Sequence, residues 1–228
     1  MQGIFLLFPE KKTLSLPVDA LRLFFLQLDL EIWYYLNIEW QNAFLDYVIP
    51  FFRNQFFWVP LYLFLFVFMP LNYRRRGWYW LAGFLIAFAL ADYTSASIIK
   101  PMVGRLRPCN TPDLQPYVHL LVGCGSGLSF PSSHAANHFA FAAFIAGTLG
   151  KPYPKIRKWA WIWAILVGYS QVYVGVHFPL DVAFGALLGI VVGRLVARVY
   201  NRRFGPLEWL SPYPPEPEDD DPAEVVLK

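Results

Sequence analysis

The chain alternates long apolar runs with short polar islands, and the runs have the length of membrane-spanning helices. Five of them, Phe56–Leu71, Trp78–Ile99, Ser133–Leu149, Trp159–Val174 and Val182–Tyr200, are close to the ~20 residues that cross a ~30 Å hydrocarbon core. Trp58, Trp78, Tyr79, Trp80, Trp159 and Trp161 gather near their ends, where amphipathic rings favour the membrane interface. Gly185, Ala186, Gly189 and Gly193 leave the last run room for a close helix neighbour. The stretch Val18–Phe52 reads differently, because Arg22, Asp29 and Glu31 interrupt its apolar pattern. An interfacial amphipathic helix and a sixth span buried against the bundle both fit; a sixth, atypical membrane segment is the expectation carried forward. The pattern predicts an all-α, polytopic transmembrane helix bundle.

Composition agrees with that reading. Of 228 residues, 57% are hydrophobic and only 15% charged, against about 25% charged in soluble domains. The net charge of +3 falls in short clusters between the runs, which sets topology rather than building a nucleic-acid face. Arg74, Arg75 and Arg76, then Lys151, Lys155, Arg157 and Lys158, then Arg194, Arg198, Arg202 and Arg203 fall on one side of five alternating spans. The positive-inside rule makes that side cytoplasmic, so the loop Lys100–Pro131 and the turn around His177 share the outer face of a bacterial plasma membrane. The opening MQGIFLLFPEKK lacks a signal-peptide cleavage site, and its lysines follow its apolar run. The tail SPYPPEPEDDDPAEVVLK is too polar and Pro-rich to bury a core. We therefore divide the chain into a membrane domain, residues 1–205, and a disordered cytoplasmic tail, residues 206–228.

Three polar islands share the outer face. In KPMVGRLRP, Lys100, Arg105 and Arg107 are either snorkelling anchors or an anion site, where Arg offers a planar fork and Lys a point charge. In SFPSSHAANHFA, Pro131 is placed in a first helical turn. The amides of Ser132, Ser133 and His134 then point out of a helix N-terminus, as anions require; an ordinary cap reads the same way. In SQVYVGVHFPLD, Gly175 permits a tight exit from the preceding helix. His177 stands just before the next helix and Asp181 in its first turn. The carboxylate can then fix the imidazole tautomer and leave the other nitrogen as nucleophile or base, although a capping Asp beside an incidental histidine gives the same letters. Together the islands supply two histidines, a carboxylate, cations and a helix N-terminus, which suits phosphoryl transfer. No metal and no cofactor is expected: two His and an Asp suit zinc, but Lys100 and Arg107 would repel it.

At these residues the sequence resembles the type-2 phosphatidic acid phosphatase and vanadium haloperoxidase superfamily, whose signature runs K-x6-R-P, P-S-G-H, S-R-x5-H-x3-D. Lys100 through Arg107-Pro108 match the first part. Pro131-Ser132-Ser133-His134 match the second with Ser133 in the glycine position. Ser170-Gln171, His177 and Asp181 match the third with glutamine in the arginine position. The resemblance implies His177 as the nucleophile of a phosphohistidine intermediate, Asp181 as its orienting partner and His134 as general acid. It implies Lys100, Arg107, Ser132 and the Ser133 amide as phosphate cradle. It also implies a metal-independent lipid phosphatase of six membrane helices, with a membrane lipid phosphate as substrate. The motifs do not specify which lipid: polyprenyl diphosphate is the first expectation, with phospholipid and lipid A phosphates beside it. A phosphotransferase using the same histidine and a non-catalytic lipid-binding protein are the alternatives.

Gln171 brings no charge where the signature has one. Arg105 compensates, or the substrate needs less charge there, or turnover is lost; the first two are favoured. His138, one turn beyond His134, is read as a packed histidine rather than a catalytic one. Asp92 is read as a hydrogen-bonded structural group, and His119 carries no assigned role. Cys109 and Cys124 lie in the outer loop, where an oxidising space would pair them; two free thiols fit equally.

Overall fold

A computed structural model of the chain describes residues 17–205 and residue 207; the acidic tail, Leu207 apart, lies outside the described residues. The elements are α1 (Pro17–Tyr34), α2 (Ala43–Arg53), α3 (Val59–Tyr93), α4 (Lys100–Val103), α5 (Ser133–Thr148), α6 (Pro154–Tyr173) and α7 (Pro179–Phe204). Short π-helical turns, Tyr35–Glu39 and Thr94–Ile99, extend α1 and α3. No strand occurs among the described residues.

The helix α3 is two limbs rather than one rod. Arg74 leaves the helical region (φ 50°, ψ −128°), and a Cβ on Gly77 would meet the Met69 carbonyl oxygen at 2.1 Å. In a continuous helix those residues would lie about 12 Å apart. The chain therefore reverses at Arg74–Arg76, between the first two runs of the sequence pattern. The five predicted runs all become helices; the last two begin earlier than their hydropathy suggests, at Pro154 and Pro179.

At the centre stands α5, which packs most extensively against α7 and then α6 and α3. Its seam with α7 explains the Gly spacing. Cβ atoms on Gly185, Gly189 and Gly193 would fall 2.4, 2.2 and 2.3 Å from the carbonyl oxygens of Ser132, Ala136 and Ala140. Any side chain there would push the helices apart; Ala186 lies off the seam, half-buried. On the other side, aromatic residues fill the larger gap: Phe84 and Phe141 stack with centroids 4.0 Å apart, and the buried Trp80 indole donates to Thr148 Oγ1 at 2.8 Å.

The outward faces are apolar. Leu63, Phe64, Leu187, Leu195 and Val199 are all more than half exposed. The helical runs Gln55–Asn110 and Pro179–Phe204 are long and apolar enough to cross a membrane. Such a belt is too large for a soluble monomer to leave in water, and lipid covers it at no cost.

The Val18–Phe52 stretch forms two helices, α1 and α2, with a π-helical turn between them. Asn37, fully buried in that turn, accepts from the His119 amide and donates to the carbonyls of His119 and Tyr173. On α2, Asp46 accepts from Tyr173 Oη at 2.7 Å and meets His119 Nε2 at 3.0 Å. Both helices are thereby tied to the long loop and the end of α6. Within that loop Cys109 and Cys124 form a disulfide, with Cα atoms 5.9 Å apart.

Candidate functional site

The three islands, far apart in sequence, meet where the N-termini of α5 and α7 adjoin the C-terminus of α6. The glycine seam brings α5 and α7 together there, and the Ser132 amide donates to the Asp181 carbonyl at 2.9 Å. That bond uses one amide the sequence reading assigned to anion binding. Ser132 is instead the N-cap of α5, its Oγ accepting from the Ala135 amide. Pro131, joined to Phe130 through a cis peptide bond, lies before the cap rather than in the first turn. The amides of Ser133 and His134 remain at the helix mouth, and the Ser133 hydroxyl accepts from Ser95 Oγ at 3.0 Å.

His177 sits in the short connection between α6 and α7. Gly175, with φ +82°, makes the tight exit from α6, and the amides of Val176 and His177 both donate to the Gln171 carbonyl. The imidazole is buried, 2% exposed. Burial, against the pull of Asp181, pushes it down to about 4, so the ring is neutral at pH 7. Its Nδ1 lies 3.2 Å from Ser129 Oγ and 3.6 Å from Asp181 Oδ2, beyond hydrogen-bond length for the carboxylate. Ser129 Oγ in turn donates to Asp181 Oδ2. The order is therefore imidazole, hydroxyl, carboxylate. With the hydroxyl proton given to Asp181, Ser129 accepts from Nδ1–H and leaves Nε2 with its lone pair outward. Sequence reading missed Ser129: it opens the second island but lies two residues before the Pro131–His134 signature, and nothing in the pattern gave it a role.

Asp181 is fully buried and holds four neighbours. Oδ2 faces Ser129, His177 and the Phe178 amide, which donates at 2.9 Å; Oδ1 accepts from Arg105 Nη1 at 2.8 Å. The helix-capping and histidine-orienting readings of this residue are both present in the geometry. Arg105 also donates through Nη2 to Asp29 Oδ2 at 2.5 Å and lies 4.0 Å over the Phe178 ring. Asp29, buried on α1, further accepts from the Leu180 amide at 2.7 Å. The Arg105 charge is thus shared between two carboxylates. Asp29 had no signal in the sequence beyond being a carboxylate in an apolar run.

Lys100 donates through Nζ to the carbonyls of Leu128 and Ser129 at 2.9 and 3.3 Å. Arg107 donates through Nε to Gly127 and through Nη1 to Cys124, both at 3.0 Å. These bonds shape the Lys100–Pro131 loop around two cations that have no salt-bridge partner among the described residues. His134, half-buried, lines a cavity of about 620 Å³ with Asp46, Arg53, Gln55 and Val122. Gln171 bonds back along α6. Fully buried, it donates to Val167 O and Ser170 Oγ, and its Oε1 has no hydrogen-bond partner among the described residues. His138 is packed against Trp163, with Nδ1 2.9 Å from the His134 carbonyl. Asp92 accepts from Asn137 Nδ2 at 2.9 Å, and His119 braces α2 through Asp46.

Comparison with known proteins extends beyond the motifs. The model of the PAP2 superfamily matches residues 78–205. A lipid A 4'-phosphatase of Bacteroides thetaiotaomicron is 30% identical over 192 residues, covering 82% of this chain and 83% of that one. LpxE from Aquifex aeolicus superposes with a TM-score of 0.62 at 28% identity, over 75% of this chain and 95% of that one. A transmembrane PAP2-type phosphatidylglycerolphosphate phosphatase from Bacillus subtilis gives 0.60 at 25% identity, covering 78% and 86%.

Proposed function

The chain belongs to the PAP2 superfamily and is a membrane phosphatase, and from that premise we propose that it removes phosphate from a lipid through a phosphohistidine, without a metal. The observation that carries this reading is the buried His177–Ser129–Asp181 chain facing the helix mouth at His134.

In the proposed reaction Nε2 of His177 attacks phosphorus, and the bond from phosphorus to the lipid oxygen breaks. His134 gives its proton to that leaving oxygen; a phosphate dianion beside it favours the imidazolium it needs. Water then attacks the phosphohistidine while His134 takes the proton back. The phosphorus–nitrogen bond breaks and inorganic phosphate leaves. Asp181, through Ser129, holds the imidazole and balances the positive charge it gains. Lys100, Arg107 and the amides at the mouth of α5 hold the phosphate oxygens; Ser132 caps the helix that presents them. Arg105 acts here as a brace for Asp181 rather than as a phosphate ligand.

Residues 1–205 form the working unit in this reading. Its membrane helices are α1, the two limbs of α3, α5, α6 and α7, in a bacterial inner membrane with the site facing outward. The match to the B. thetaiotaomicron protein covers most of both chains, which favours a phosphate on lipid A over the polyprenyl diphosphate expected first.

The test is phosphate release by the purified full chain in detergent with EDTA, from lipid A, undecaprenyl diphosphate, phosphatidylglycerol phosphate and phosphatidate. Release is expected with lipid A fastest, and with His177→Ala inactive. A faster rate on undecaprenyl diphosphate overturns the substrate, and a requirement for added metal overturns the mechanism.

A further inference from the structure

We propose that Arg53, on α2, is a phosphate-binding residue of this site, completing a cationic set that Gln171 cannot. The inference rests on the reading of this face as a phosphate site and adds a residue lying outside all three sequence islands.

The first observation is position. Arg53 is the last residue of α2 and lines the same cavity of about 620 Å³ as His134. It interacts electrostatically with His134 and with Arg107, so it belongs to the same cluster of charge. The ties from Asp46 to Tyr173 and His119 hold α2 over the mouth of α5.

The second is the donor inventory. An Arg has five N–H donors and a Lys three. Lys100 spends two on the carbonyls of Leu128 and Ser129, and Arg107 spends two on those of Gly127 and Cys124. Arg105 is bound by two carboxylates. Arg53 spends none: among the described residues it has no ion-pair partner, and its Nε is buried without an acceptor. Asp46, the carboxylate in the same cavity, is held by Tyr173 and His119. A half-buried guanidinium that feels the charge of another arginine, with its donors open, is costly unless an anion is held nearby.

The third is what Gln171 offers. Its amide nitrogen is engaged with Val167 and Ser170, and its remaining polar atom, Oε1, is an acceptor that repels phosphate oxygens. A phosphate monoester presents three terminal oxygens and up to two negative charges. Lys100 and Arg107 have donors left for part of that load, and Arg53 brings a full planar fork from the cavity that His134 lines.

The test is titration of the full-length protein in detergent with orthovanadate, followed by calorimetry, which needs no turnover. Arg53→Ala is expected to weaken orthovanadate binding by about tenfold or more, and Arg53→Lys to recover most of the loss. Where the alanine variant does not survive purification, Arg53→Gln reads the same loss with side-chain length kept. Binding within twofold of the parent in the neutral variants overturns the proposal. So does a lysine variant as weak as the neutral ones at the parent's melting temperature. If the parent binds orthovanadate yet releases phosphate from no lipid, the proposed activity falls, while the titration still decides the role of Arg53.

Discussion

One carboxylate at this site serves two purposes that the sequence presents as rivals. Asp181 accepts the Phe178 amide as a helix cap and, through Ser129, orients His177. Letters alone cannot separate these readings, because both place an acidic residue in the first turn of a helix. The pair His177 and Asp181 was legible from its spacing; the hydroxyl between them was not. Ser129 sits in an irregular segment and is positioned by its own amide, which donates to the Arg105 carbonyl at 2.7 Å. Its removal leaves His177 Nδ1 with its nearest acceptor 3.6 Å away. Ser129→Ala is therefore expected to lower kcat for phosphate release about 10- to 100-fold, the worth of one hydrogen bond to a charged group. KM and orthovanadate affinity should stay near those of the parent. Steady-state kinetics on the best lipid decide; a fall in affinity with kcat unchanged would place Ser129 in the phosphate cradle instead.

At the scale of elements, α1 shows why the N-terminal stretch was hard to read. A carboxylate at Asp29 argues against a buried helix only while its partner is unknown. That partner is Arg105, 76 residues away, and pattern reading carries no information over such a distance. The later helices were legible because their apolar runs are local and uninterrupted, and the seam of α7 because its glycines recur every fourth residue. The reversal inside α3 was legible from its arginines alone. Asp29 joins α1 to both the Lys100–Pro131 loop and the first turn of α7, through Arg105 and the Leu180 amide. Asp29→Ala leaves that buried amide unpaired and Arg105 half-paired. The expected loss is about 2–4 kcal/mol, read as a lower melting temperature in detergent and faster proteolysis in the Tyr35–Glu39 turn. Glu31→Ala, on the same helix but exposed, should change stability by less than about 0.5 kcal/mol. Equal losses in the two variants would show that α1 is held by its apolar face and not by Asp29.

For the whole molecule, the two ends of α5 divide the chemistry. Its N-terminus carries the His134 mouth, joined to α7 by the bond from Ser132 to Asp181. Its C-terminus meets the basic end: Asn201 Nδ2 donates to the Gly147 carbonyl at 2.9 Å and Tyr200 Oη to that of Arg76 at 3.1 Å. Sixteen helical residues hold these ends about 24 Å apart, close to the thickness of a hydrocarbon core. Nine of the eleven cations in the three basic clusters lie in or beside the turns at that second end. The proposed orientation, drawn from the positive-inside rule, has that end in the cytoplasm and so has the Cys109–Cys124 disulfide on the opposite, oxidising side. In spheroplasts, reduction should expose both thiols to a membrane-impermeant maleimide. With both cysteines replaced by alanine, an Arg75→Cys variant, altered at an exposed position of the basic turn, should label only after permeabilisation. The reverse pattern would turn the site to the cytoplasm, where a phosphatase of this form meets newly made lipid rather than lipid already flipped outward.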